Sequence, residues 1–203
     1  MNDVSQTGYG VDVSVKRADE LEKRLLSVVQ PGDSVLDLGC GAGGAAARLV
    51  AAEGIVTGVD IHDYIDDWKK IDREFVAGDI RQLETLLSER QFDYCLCNRT
   101  IHYLTYEEAA QLLRDLRRMV LQQLFISFSG MTSELVHGYA AQQAPIESRF
   151  DKLSTDAQET FGISQPLTLY SEAEAVKLLA DAGWTVTWSR TTDFGNVILQ
   201  AQS

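Results

Sequence analysis

The chain has 203 residues, enough for one well-buried α/β domain and short for two. Its 30 acidic residues outweigh 18 basic ones, and the net charge of −12 repels phosphate backbones and leaves no counterion release to drive nucleic-acid binding. The apolar runs are too short to cross a bilayer, and residues 1–10 lack the basic head and apolar core of a signal peptide, so a cytoplasmic protein is expected.

The polar, glycine-containing start is expected to be mobile. From Ala18 to Val29 the residues Leu21, Leu25, Val28 and Val29 recur at helical spacing, and Pro31-Gly32-Asp33 then turns the chain. Ser34 to Leu38 is a short apolar strand. It runs into Gly39-Cys40-Gly41-Ala42-Gly43-Gly44, and then into a helix from Ala45 to Ala52. Strand, glycine loop and helix are the first half of a nucleotide-binding βαβ unit, in which Gly39 and Gly41 take backbone angles closed to other residues and let a ligand approach the main chain. Ile55 to Val59 forms the next strand and ends on Asp60, a carboxylate placed to accept from a ribose diol. Ile61 to Trp68 is a crowded acidic and aromatic loop in which His62 and Asp63 face water. Arg73 to Ala77 reads as a third strand. Asp79 then either caps a helix from Arg81 to Arg90 or meets a ligand.

Gln91 to Asn98 is the fourth strand. The segment Asn98-Arg99-Thr100-Ile101-His102-Tyr103-Leu104 follows it, where the ligand crevice of an open α/β sheet lies. Cys95 and Cys97 sit two apart on this strand, so they share a face and cannot clip a metal; with Cys40 they are read as reduced and packed. Thr105-Tyr106-Glu107-Glu108 is a capping box that opens a helix to about Val120. Arg114, Arg117 and Arg118 on this helix read as a solvated face. Leu124 to Phe128 is a buried fifth strand. From 129 to 169 the pattern breaks, which marks a functional or mobile segment. It holds His137, Tyr139, Arg149 and Phe150, which either face a substrate or belong to a lid that supplies shape alone. Ser171 to Glu174 is a second capping box, its helix closed by Gly183. Trp184 to Arg190 and Phe194 to Leu199 are two closing strands. There is no repeat and no linker, so residues 1–203 are one domain with an N-terminal segment at 1–30 and a substrate lid at 129–169.

Gly39-x-Gly41-x-x-Gly44 matches the dinucleotide fingerprint, which keeps a nicotinamide cofactor open. The surroundings favour another cofactor. Asp37 stands two residues before the first glycine, a helical segment precedes the strand, Gly78-Asp79-Ile80 follows the third strand, and a hairpin ends the chain. From about Leu21 to Gln200 the sequence resembles the class I S-adenosylmethionine (SAM)-dependent methyltransferases, and Asp37-Leu38-Gly39-Cys40-Gly41-Ala42-Gly43 looks like their first motif. The resemblance implies a Rossmann-like three-layer α/β/α sandwich, with a seven-stranded, mostly parallel sheet of order 3-2-1-4-5-7-6 whose last strand is antiparallel. It implies SAM as cofactor and S-adenosylhomocysteine (SAH) as product. Asp60 would hold the ribose, Ile61 would pack on the adenine, and Asp79 and the Ile80 backbone would read the adenine edge. Gly39 and Gly41 would take the methionine and ribose portion, Asp37 the amino group through water or backbone, and Cys40 and Asn98 would line the same site.

The expected reaction is methylation of a small molecule at oxygen or nitrogen. Methyl transfer is an in-line displacement that needs alignment and dryness, and a base only where the acceptor must lose a proton. His102 is the candidate base, since its ordinary pKa lies near neutrality; the alternative is that it packs or orients the substrate. Tyr9, Tyr103 and His137 are candidate substrate contacts. No motif points to a metal. RNA or protein methylation and a non-catalytic SAM-binding module remain as rivals, and the acceptor and oligomeric state stay open.

Overall fold

The computed structural model describes residues 8–9 and 19–203. The seven strands are β1 (Ser34–Leu38), β2 (Ile55–Asp60), β3 (Glu74–Ala77), β4 (Phe92–Cys97), β5 (Val120–Phe128), β6 (Thr185–Thr191) and β7 (Val197–Gln202). They form one sheet of order 3-2-1-4-5-7-6, in which β1 to β5 are parallel and β7 runs antiparallel to both β5 and β6. The expected topology is therefore present, with strand ends moved by one to four residues.

Alternation along the strands divides the core into two layers, because successive side chains point to opposite faces. On one face Leu36, Leu38, Cys95 and Cys97 meet α4 (Leu83–Leu87), α5 (Tyr106–Met119) and α7 (Glu172–Asp181). On the other, Val35, Tyr94 and Leu96 meet α1 (Glu20–Leu26), α2 (Gly44–Ala51) and Trp68, at the end of α3 (Ile65–Trp68). The three cysteines are buried and free.

Both capping boxes form. The Thr105 hydroxyl accepts from the Glu108 N–H at 3.2 Å while the Glu108 carboxylate accepts from the Thr105 N–H at 2.9 Å, and Ser171 and Glu174 do the same for α7. Of the helix expected over 18–29, Ala18 lies outside the described residues and Glu20–Leu26 is regular, fixed at its start by the Asp19 carboxylate on the Glu22 N–H. The helix expected over 81–90 is broken into a 3₁₀ turn (Ile80–Gln82) and the five-residue α4. The 61–68 loop contains α3.

Residues 129–169 hold three 3₁₀ turns and α6 (Thr155–Phe161) around a small core of Tyr139, Leu153, Ala157, Ile163, Leu167 and Leu169. Arg149 fastens this segment to α7. Its guanidinium, 8 % exposed, meets the Glu174 carboxylate twice at 2.9 Å and the Leu169 carbonyl at 3.0 Å. Tyr139 is equally inward, donating its hydroxyl to the Leu167 carbonyl at 2.9 Å. Neither faces a substrate; both hold the segment together. No helix among the described residues is long and apolar enough to cross a membrane.

Candidate functional site

The sheet reverses its strand order between β1 and β4, and the crevice at their carboxyl ends is where open α/β sheets take ligands. A cavity of about 360 Å³ opens there, within the size range of small-molecule sites.

Its floor is the glycine loop. Gly39 and Gly41 have φ of +68° and +51°, and a Cβ on Gly39 would collide with Thr100. The loop is braced from two sides. The Asp60 carboxylate accepts from the Gly41 N–H and the His62 N–H, each at 2.9 Å, and the Trp68 indole N–H donates to the Gly41 carbonyl at 2.9 Å. Trp68 is fully buried; a Cβ on Gly58 would collide with its ring, and one on Gly43 would crowd it and collide with Ile71. The interior glycine of β2 is the sequence signal for this close approach.

Three carboxylates stand at or just beyond the ends of adjacent strands. Asp37 of β1 is 3 % exposed, and its Oδ2 has no hydrogen-bond partner among the described residues. Burial, with Glu22 and Asp60 nearby, pushes its pKa up to about 7 against the pull of Arg48. Asp60 is also raised by burial, an effect opposed by its backbone donors. Asp79, just after β3, is held low by its ion pair with Arg81, which also reaches Glu108. Arg48 is paired with Glu22 beside Asp37. The site thus offers a buried, unmatched negative charge at its Asp37 end, which a cationic ligand group would satisfy.

Asn98 is held on both sides: its amide donates to Asp19 at 2.5 Å and its carbonyl accepts from the Ser127 hydroxyl at 2.7 Å. This fastens the start of α1 to the end of β4. Tyr9 spans the mouth, its ring edge-on to Tyr103 at 4.6 Å and to His62 at 5.5 Å. The Tyr103 hydroxyl donates to the Tyr9 carbonyl. Tyr9 also pairs with Ile163, while the Gly8 carbonyl accepts from the Ser164 N–H at 2.9 Å, so the segment around Gly8 and the 129–169 segment are strapped together. That segment contributes Phe150, Gln165 and Pro166 to the cavity wall.

Of the residues singled out in the sequence, Asp37, Gly39, Cys40, Gly41, Asp60, Ile61, Asp79, Ile80, Asn98, Tyr9 and Tyr103 line the cavity. Two do not. His102 is 3 % exposed beneath Tyr103, its ring centroid 4.3 Å from that of the tyrosine, and burial lowers its pKa to about 3. The Ile101–Tyr103 turn presents Tyr103 to the cavity and His102 to the core, so nothing places the imidazole against a reacting group. His137 lies exposed on a 3₁₀ turn, its ring near its own Glu134 carbonyl at 3.1 Å. Sequence reasoning missed His62, Tyr64, Arg81, the Glu22–Arg48 pair and Arg99, all of which line the cavity.

Residues 35–123 match a family model described as a methyltransferase domain. No curated protein matches the sequence. Among solved structures the chain is similar to a SAM-dependent methyltransferase from Methanosarcina mazei, with 18 % identity, 89 % of this chain and 96 % of that one covered, and a TM-score of 0.68. It is similar to the magnesium protoporphyrin IX methyltransferase of Synechocystis with bound SAH, with 21 % identity, 98 % and 85 % covered, and a TM-score of 0.65. It is also similar to a protein from Rhodobacter sphaeroides described as a Zn-dependent alcohol dehydrogenase, with 13 % identity, 99 % of each chain covered, and a TM-score of 0.71. Likeness at this level of identity establishes the fold and does not choose a chemistry. The described residues of this chain hold no group of three or more His, Cys, Asp or Glu placed to bind a metal ion.

Proposed function

We propose that the chain is a class I SAM-dependent methyltransferase and that it methylates a small organic acceptor, at oxygen or nitrogen, held between the glycine loop and the 129–169 segment. The observation that carries the cofactor assignment is the row of carboxylates Asp37, Asp60 and Asp79 along the ends of three adjacent strands, with one oxygen of Asp37 buried and unmatched. That row suits a ligand with an ammonium at one end, a ribose diol in the middle and an adenine amine at the other. Asp37 would face the ammonium, Asp60 the ribose and Asp79 the adenine amine. Ile61, 52 % exposed at the mouth, would be covered by the purine. Asp79 also meets Arg81, so the adenine amine would share its carboxylate.

SAM supplies a methyl group on a sulfonium, whose departing thioether takes the carbon–sulfur bond pair and needs no acid. The acceptor contributes the lone pair that forms the new bond. The chain has to align the two and keep water out. Tyr9 and Tyr103 close the mouth, and Phe150 and Pro166 give the acceptor side an apolar wall. Neither Cys40 nor Tyr103 is an activated base. Burial pushes the Cys40 thiol and the Tyr103 hydroxyl well above their ordinary ranges, and Tyr103 is already committed to the Tyr9 carbonyl. The small-molecule acceptor is supported by the cavity's size, by the acidic balance of the chain, and by likeness to an enzyme whose named substrate is a porphyrin.

Calorimetric titration of the protein with SAM, SAH and NAD tests the cofactor assignment. We expect SAM and SAH to bind and NAD to stay silent. In Asp60→Ala, which loses both the ribose acceptor and the brace on Gly41, affinity should fall roughly tenfold or more. No SAM or SAH binding by folded protein would refute the assignment.

A further inference from the structure

Three arginines line the cavity, and two are already matched. Arg48 is bound to Glu22, and Arg81 to Asp79 and Glu108. Arg99 has no ion pair and no side-chain hydrogen bond among the described residues, and its Nε is shut off from solvent without a partner. A shielded guanidinium nitrogen left unmatched is uncommon and asks for a reason.

The backbone at Arg99 is unusual as well. Its φ of +55° is left-handed, a conformation that costs a non-glycine residue of order 1 kcal/mol and collects at functional sites. The strained turn is held by the Ser127 hydroxyl, which accepts from the Arg99 N–H at 2.7 Å and donates to Asn98. β5 therefore supplies a dedicated support for the residue that carries the free cation.

The cation is also at the right end. Arg48 is the positive charge felt by Asp37, beside the glycine loop. Arg99 is the one felt by Tyr103 and His102, in a cavity whose lining also includes Phe150 and Pro166. In a chain with a net charge of −12 and five carboxylates around this cavity, an unmatched guanidinium is a feature that admits an anion. The aromatic ring of Tyr103 stands beside it, and Phe150 lines the same cavity. We propose that the methyl acceptor is a small carboxylic acid with a flat, apolar body, its carboxylate paired with the Arg99 guanidinium and its body against Tyr103 and Phe150. This rests on the methyltransferase reading above and names the substrate class of that same site.

A carboxylate could instead come from the methionine end of the cofactor, and the test separates the two. The full-length protein, Arg99→Gln and Arg99→Lys are each titrated with SAH. Each is then titrated, saturated with SAH, with benzoate and indole-3-acetate and with the neutral amides of both. We expect the acids to bind the original protein at least roughly tenfold tighter than their amides. Arg99→Gln should weaken the acids by roughly ten- to a hundredfold, and Arg99→Lys, which keeps the charge but not the fork, should fall between. SAH affinity should change by less than about threefold in both variants, since Arg99 serves the acceptor; this also reports that they are folded.

The proposal is overturned if the amides bind as well as the acids, if neither acid binds the SAH-loaded protein, or if Arg99→Gln keeps the acid affinity. It is equally overturned if Arg99→Gln loses SAH, which would make Arg99 the partner of the cofactor's own carboxylate. Failure of SAH to bind the original protein would sink the cofactor assignment instead. The acid and amide titrations, run on the ligand-free protein, would then decide the Arg99 assignment by the same criteria.

Discussion

Asp37 makes the ligand-free protein and its complex depend on pH in opposite directions. Its pKa in the ligand-free fold is about 7, raised chiefly by burial, against an ordinary value of 3.8. Folding therefore meets a cost that is absent below the ordinary value, grows as pH rises from 4 to 7, and is complete above 7. The shift is about 3 units, and at about 1.36 kcal/mol each it bounds the cost at ~4 kcal/mol. One side of the carboxylate faces the cavity, where solvent screens it, so about half that, ~2 kcal/mol, is expected. Asp37→Asn removes the charge and keeps the shape. At pH 8 the ligand-free variant should melt about 4–8 °C above the original protein, and at pH 4 the two should coincide. Ligand binding runs the other way. A bound ammonium needs the ionised carboxylate, so binding expels a proton and affinity rises with pH until the group is ionised. With a pKa near 7, SAH affinity should be roughly eightfold greater at pH 7.5 than at pH 6. In Asp37→Asn the affinity should be flat with pH and lower at pH 7.5 by roughly tenfold or more. Circular dichroism melts and calorimetric titrations across this range read both effects. Equal SAH affinity at pH 6 and 7.5 in the original protein, or a variant that melts lower at pH 8, would refute the role given to Asp37.

Two further outcomes follow from burial and partners. Arg149→Met should leave the Glu174 carboxylate and the Leu169 carbonyl without their cation, costing ~2–3 kcal/mol in urea unfolding. Limited proteolysis should then cut first within 139–167; cleavage at the original protein's rate and sites would show that Arg149 does not fasten this segment. His102, neutral in its buried setting with a pKa near 3, should show no imidazole titration by NMR between pH 5 and 8, its resonance being identified by its loss in His102→Asn. A midpoint near neutrality would restore it as a candidate base.

Which parts of this site could be read from the residues depends on the range of the interactions that build them. The glycine loop, the acid closing β2 and the two capping boxes are each settled within about six residues, so composition and spacing reveal them. The alternation of short apolar runs with helical segments places the sheet for the same reason. His102 and Tyr103 show where this stops. They are neighbours on a 3₁₀ turn, in which each step rotates the side chain by about 120°, and a one-residue change of phase decides which ring meets the cavity. Local pattern identifies the segment but not its phase, and the aromatic wall formed with Tyr9, 94 residues away, selects Tyr103. Trp68 depends in the same way on glycines 25 and 10 residues before it, and the 129–169 segment on an ion pair to α7. The glycine motif and the capping boxes are thus short-range pieces, while the bracing of the loop by Asp60 and Trp68 and the wall of Tyr9 and Tyr103 are long-range ones. Arg99 belongs to the second kind: its unmatched charge is visible only once Glu22, Asp79 and Glu108 are seen to be occupied by other arginines. Among the described residues lining the cavity, Arg48 and Arg81 have acidic partners and Arg99 has none, and it is this contrast, not any local motif, that motivates the acceptor proposed above.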